Sequence, residues 1–284
     1  MAAPQSGRTP LTDTRRAGFP NPFSQIPVEN RLPLVQAVLA NKQLAGSFIA
    51  HLKDQLQRDG TIRIAVVDDF SAGQTHGVNV ETRILANVPD HLRDRVRIVR
   101  YDMGGKGQAG RAQVLQRVAD AAQRKEVVAV SISGGLQAYP VERIERASGQ
   151  PLSKASAARA FDATARQSGM AGAERAAWAA LAQASKRIPV VTPVWNDGNT
   201  TLAALMLAGS NGIVTTIDPS QASRATKTPL ADVRMPDPWK SGTTSQSAPT
   251  FIGQSLGLLD ESSARRSIRP VPRDSGYGNG GRPQ

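Results

Sequence analysis

The chain has 284 residues, with 35 Lys and Arg against 23 Asp and Glu, a formal net charge of +12, three histidines and no cysteine. That length can bury a sizeable core and reads as one catalytic-sized domain. The absence of cysteine excludes a disulfide framework, a thiolate metal site and a cysteine nucleophile, and the dispersed cations read as a solvated basic surface without specific nucleic-acid binding.

Taken in chain order, residues 1–30 are rich in Pro, Ser, Thr and Arg and lack apolar periodicity, so they read as a disordered tail. Nothing in them has the pattern of a cleaved signal peptide or a membrane span, which points to synthesis in the cytoplasm. Their composition resembles leaders of bacterial effectors exported without signal cleavage. Helical patterns follow at about 32–42 and 44–58; His51 falls on the second. This leading segment is too short for a separately folded pro-domain plus helices. The run Ile62-Arg63-Ile64-Ala65-Val66-Val67 is a buried-type strand that ends on Asp68 and Asp69, at the carboxyl end where open α/β sheets place their sites. His76-Gly77 then opens a helix with Val78, Val80, Ile84, Leu85 and Val88, the glycine allowing close backbone approach. His91 lies in a polar connection.

Further strands are expected at 95–101, 127–132, 188–194 and 212–217, with a helix at 109–123 and one or two Ala-rich helices within 154–185 that bury Trp178 and Leu181. The loop Gly104-Gly105-Lys106-Gly107 lacks the Lys-Ser/Thr ending of a phosphate loop and reads as a strand-to-helix connection at the rim of a cleft. Strands alternating with helices imply an α/β fold, a doubly wound and mainly parallel sheet with helices on both faces. Residues 261–284 read as a second disordered tail, leaving 31–260 as the folded domain.

Near the end, Gly242-Thr243-Thr244-Ser245-Gln246-Ser247-Ala248-Pro249 places a serine in a small-residue turn before an apolar helix. A serine hydroxyl needs a base to take its proton and a carboxylate to orient that base. The chain supplies both upstream, in the order Asp68, His76, Ser245. The bland alternative is that Ser245 caps the helix that follows.

These segments resemble the subtilisin-like serine peptidases, the subtilases. Ile64 to Asp68 is similar to the family's strand ending in its catalytic Asp, His76-Gly77-Val78-Asn79-Val80 to its His-Gly-Thr-x-Val helix start, and Thr244 to Pro249 to its Thr-Ser-x-x-x-Pro turn. Pro189 to Gly198 aligns without gaps on the strand and turn that carry the oxyanion asparagine, placing that role on Asn196, with Asn199 as the rival donor. Ser131-Ile132-Ser133-Gly134-Gly135 resembles the Ser-x-Gly-Gly strand end that lines the substrate, with Ser133 and Gly134 in that role. The chain carries Thr243 and Trp195 where the family has glycine, and its Asp-to-His interval is short.

The resemblance implies a subtilisin-like fold and a serine endopeptidase acting on polypeptide substrates through Asp68, His76 and Ser245, with Asn196 at the oxyanion. No cofactor is implied and no metal is required, calcium remaining open. The second reading is an inactive protein that keeps the cleft and binds peptides, the reading that Trp195 favours.

Overall fold

The computed structural model describes residues 32–134, 137–196, 199–217, 229–235 and 243–260. The two expected tails, together with Gly135, Gly198 and Gly242 of the quoted segments, lie outside the described residues.

Six strands form one parallel sheet in the order β2-β1-β3-β5-β7-β8: β1 Ile62–Asp68, β2 Val96–Asp102, β3 Ala129–Ile132, β5 Val190–Pro193, β7 Ile213–Ile217 and β8 Val233–Met235. Two three-residue strands, β4 Ala138–Pro140 and β6 Asn199–Thr201, pair antiparallel beside it. The helices are α1 Leu32–Asn41, α2 Ala45–Asp59, α3 His76–Asn87, α4 Asp90–Arg93, α5 Gln108–Gln123, α6 Val141–Ser148, α7 Ala157–Gln167, α8 Gly172–Ala184, α9 Leu202–Ala208 and α10 Ser247–Ser255. The chain therefore has the expected α/β architecture. No described helix is long and apolar enough to cross a membrane.

Two cores flank the sheet. Strand alternation assigns the side chains of β1 to them: Ala65 and Val67 pack with α5, α7, α8 and α9, whereas Ile62, Ile64 and Val66 pack with α1, α2, α3 and α10. Because Asp68 continues the parity of Ile64 and Val66, its side chain emerges on the face that holds α3 and α10. The two helices of that face lie close together because Gly253 of α10 has no side chain: a Cβ there would stand 2.5 Å from the Ile84 carbonyl oxygen and 2.6 Å from the Asn87 Cβ. α3 also contacts the turn Thr244–Gln246 that leads into α10, so the Ser245 segment stands beside this helix.

α3 is also fixed from below. Glu81 is buried and receives two hydrogen bonds from the Arg100 guanidinium of β2, Nε to Oε1 at 2.6 Å and Nη2 to Oε2 at 2.7 Å. Arg100 in turn covers the Phe70 ring, 5.2 Å from its centroid. The pair raises the Arg100 pKa above its usual value, chiefly through the Glu81 hydrogen bonds.

The expected strands fall within two residues of their observed bounds. The Ala-rich region divides into α7 and α8 at Gly169, which takes a left-handed φ of 69° after the last turn of α7. β4, β6 and β8 have too few residues to show a period of two, and they were not expected.

Candidate active site

β1 delivers Asp68 to the carboxyl edge of the sheet with 0% of its surface exposed. Its Oδ1 lies 2.7 Å from His76 Nδ1 and also accepts the Asp69 backbone N–H at 2.7 Å. An ionised carboxylate can only accept, so the imidazole carries its proton on Nδ1 and leaves Nε2 with a free lone pair. The Asp68 hydrogen bond raises the His76 pKa above the ordinary histidine value, against the lowering effect of burial and with added attraction from Asp68 and Asp69. The other carboxyl oxygen, Oδ2, is buried without a hydrogen-bond partner among the described residues.

His76 is the first residue of α3, so the helix start aims it at the sheet edge. Gly77 has the close-approach role expected of it. A Cβ at that position would come 2.6 Å from the Phe70 ring and 2.9 Å from the Asp69 carbonyl oxygen. The other two histidines stand elsewhere: His51, on α2, has its pKa lowered mainly by burial, and His91, in α4, pairs with Asp260 at 3.0 Å on the surface.

Asp69 makes different hydrogen bonds from Asp68. Its Oδ1 accepts from the Ser71 N–H at 3.0 Å and from the Ser71 hydroxyl, which shapes the β1–α3 loop. Asp102, at the end of β2, does similar work by accepting the N–H groups of Phe70 at 2.9 Å and Gly104 at 3.0 Å. The Gly104 loop thus braces the β1–α3 connection, with Gly105 at φ 62° and Lys106 Nζ 3.5 Å from Asp102.

Ser245 is the middle residue of a 3₁₀ turn, Thr244–Gln246, that runs directly into α10 and packs against α3. The turn is bound to the sheet at several points. Thr244 N–H donates to Asn196 Oδ1 at 3.0 Å, and the Thr244 hydroxyl donates to the Val194 carbonyl at 2.6 Å. The buried Ser247 hydroxyl reaches the Thr244 carbonyl at 2.6 Å and Thr215 Oγ1 on β7 at 2.7 Å. Ser245 Oγ is 3.3 Å from Thr243 Oγ1, and among the described residues it makes no hydrogen bond to His76. Asp68 and His76 are therefore joined, while Ser245 is placed on the neighbouring helix start with its hydroxyl directed to Thr243.

Asn196 follows β5 and is half-buried beside the half-buried Trp195. The Thr244 N–H needs an acceptor, which orients the Asn196 carboxamide with Oδ1 toward the turn. Its Nδ2 makes no hydrogen bond among the described residues. The Asn199 Nδ2, by contrast, donates to the Asn196 carbonyl at 3.3 Å.

Ser133 and Gly134 leave β3 next to this pair. Ser133 is buried, its hydroxyl 3.2 Å from Ser131 Oγ and its N–H 3.2 Å from the Val67 carbonyl. Gly134 lies against Asp68 and His76. No trio of His, Asp or Glu among the described residues is placed to hold a metal ion.

A short cavity of about 60 Å³ lies beyond β4, lined by Gln108, Arg111, Tyr139, Glu174, Trp178 and Leu202 among others. Arg111 and Glu174 form a two-pronged ion pair across it, at 2.9 and 3.0 Å.

No protein-family model matches the chain, and neither a curated protein nor a solved structure is significantly similar to it.

Proposed function

We propose that this chain is a serine peptidase of the subtilase type. The reading is carried by one observation: a fully buried aspartate is hydrogen-bonded to a histidine at the start of the helix packed beside the Ser245 turn. Asp68 holds the tautomer in which His76 Nε2 is the base, and its charge supports the imidazolium that forms. His76 then takes the Ser245 proton as Oγ attacks the scissile carbonyl. It returns that proton to the leaving amine, and water releases the acyl group by the same route. The carbonyl oxygen, negative in the tetrahedral intermediate, is met by Asn196 Nδ2 and the Ser245 main-chain N–H.

Two further features support the scheme. Asn196 is hydrogen-bonded to the turn that carries Ser245, so donor and nucleophile are held by one connection. The Ser245 turn also packs against the helix that His76 begins, and hydrogen bonds between nucleophile and base are commonly long in free enzymes and shorten once substrate is bound.

The alternative is a peptide-binding protein without hydrolytic activity. It is favoured by the Ser245 contact with Thr243 and by Trp195 beside the oxyanion donor. Incubating the full chain and its Ser245→Ala variant with an unfolded protein such as casein separates the two readings. A peptidase releases new amino termini from casein and the alanine variant does not. Binding without cleavage by either chain would establish the alternative.

A further inference from the structure

The end of β3 bears on the Asp68–His76 pair more closely than a substrate-lining segment requires. β1 and β3 are paired in register through Val67 and Ile132, and the Ser133 N–H extends the ladder by donating to the Val67 carbonyl. Continuing that register sets Ser133 opposite Asp68, and Gly134, one residue further on, lies against the Asp68 side chain. A Cβ on Gly134 would overlap Asp68 Oδ1, stand 2.8 Å from Asp68 Cγ and lie 3.0 Å from His76 Nδ1. All three atoms belong to the hydrogen-bonded pair.

We propose that Gly134 is a positioning residue for the Asp68–His76 pair: its missing side chain is the space in which the Asp68 carboxylate turns toward His76. Asp68 cannot escape a Cβ by a small shift. Its Oδ1 is held by the Asp69 N–H as well as by His76, its main-chain carbonyl accepts the Met103 N–H at 2.8 Å, and the side chain is buried. A new methyl group at 134 would rotate the carboxylate away, and His76 would lose its Nδ1 acceptor. Gly104 has the corresponding relation to the second carboxylate. A Cβ there would overlap Asp69 Oδ1 and lie 2.7 Å from Asp69 Cγ. The two aspartates at the end of β1 are thus each seated against a glycine from a neighbouring strand end, and only Gly134 touches the pair.

The inference rests on Asp68 and His76 acting as a base pair, and its test does not depend on hydrolysis. Histidine-selective isotope labelling of the full chain, with His76 assigned by His51→Gln and His91→Gln variants, reports the pair through the downfield Nδ1 proton and the imidazole titration. Gly134→Ala is expected to remove the downfield proton and bring the His76 titration down toward the ordinary histidine value. Gly104→Ala and Gly46→Ala, the latter with open space at its Cβ, should leave the downfield proton in place. Where the chain is active, Gly134→Ala should lower kcat on the order of 100-fold or more with little change in KM, the effect of a base held in the wrong place. Should Gly134→Ala fail to fold, the Asp68→Gly background decides: there the alanine has no carboxylate to displace, and Gly134→Ala/Asp68→Gly should melt at the temperature of Asp68→Gly alone. A folded Gly134→Ala with an unchanged His76 spectrum would overturn the proposal, as would a Gly134→Ala penalty undiminished in the Asp68→Gly background.

Discussion

Asp68 and His76 are joined by a 2.7 Å hydrogen bond whose carboxylate end is fully buried and whose imidazole end is partly open to solvent. An acceptor removed from water keeps its charge available to the protons it faces, and the partly open imidazole remains accessible to a reactant. The β1 parity that turns Asp68 toward α3 gives Asp69 a different task, the hydrogen bonds to Ser71.

Substitution of the two aspartates should therefore have unequal consequences. Asp68→Asn presents an amide that cannot hold the same histidine tautomer and is expected to lower kcat by roughly 10⁴-fold. Asp69→Asn loses only a more remote charge and part of a loop, for an expected loss below about tenfold. Steady-state hydrolysis of a common peptide by both variants checks this, and the reverse ranking would contradict it.

The pH dependence follows from the raised His76 pKa. Catalysis needs the neutral imidazole, so kcat/KM should rise with pH through a value above the ordinary histidine pKa near 6.5 and level off beyond it. The stability contribution has the opposite sense. A group whose pKa is raised on folding stabilises fully below its unfolded pKa, and that contribution disappears as pH rises through the folded value. Asp69→Asn should move the kcat/KM inflection to lower pH, since Asp69 contributes to the upward shift. A profile falling with pH across this range would be incompatible with His76 as base.

Asn196→Leu should lower kcat on the order of 100- to 1000-fold, because its donor acts on charge that develops in the transition state. Asn199→Leu should lower kcat far less, its Nδ2 being engaged with the Asn196 carbonyl. Equal losses in kcat, or a loss confined to Asn199→Leu, would move the oxyanion role.

Arg100→Leu tests how α3 is held. The substitution strands the buried Glu81 carboxylate, and because Arg100 is itself about one-third exposed, the cost is expected near 2 to 3 kcal/mol, below the full range for a buried pair. Denaturant unfolding with an unchanged m-value measures it. Arg100→Leu/Glu81→Leu should recover part of the loss.

Much of this arrangement was legible in the residues themselves. The apolar run 62–67 fixes a strand whose end must fall at Asp68, and the His76-Gly77 step followed by Val80 and Ile84 fixes a helix that starts at the imidazole. What could not be read depends on register between distant segments. Gly134 meets Asp68 only because β1 and β3 pair through Val67 and Ile132, and the Asn196 carboxamide takes its orientation from Thr244, 48 residues away. The loop with Gly104 was expected as a strand-to-helix connection at a cleft rim; its N–H bond to Asp102 and its contact with Asp69 also make it a brace. Ser133 was expected to line the substrate. Its side chain is buried, with its hydroxyl 3.2 Å from that of Ser131 on the same parity of β3.

The most direct measurement is covalent labelling with a fluorophosphonate, which reacts with a serine only when a base activates it and an oxyanion site receives the phosphoryl oxygen. The expected result is one adduct per chain, mapped by peptide mass to Ser245, lost in Ser245→Ala and slowed on the order of 100-fold or more in His76→Ala. No adduct on the folded wild-type chain, or an adduct on another residue that persists in Ser245→Ala, would contradict the assignment of Ser245 as nucleophile.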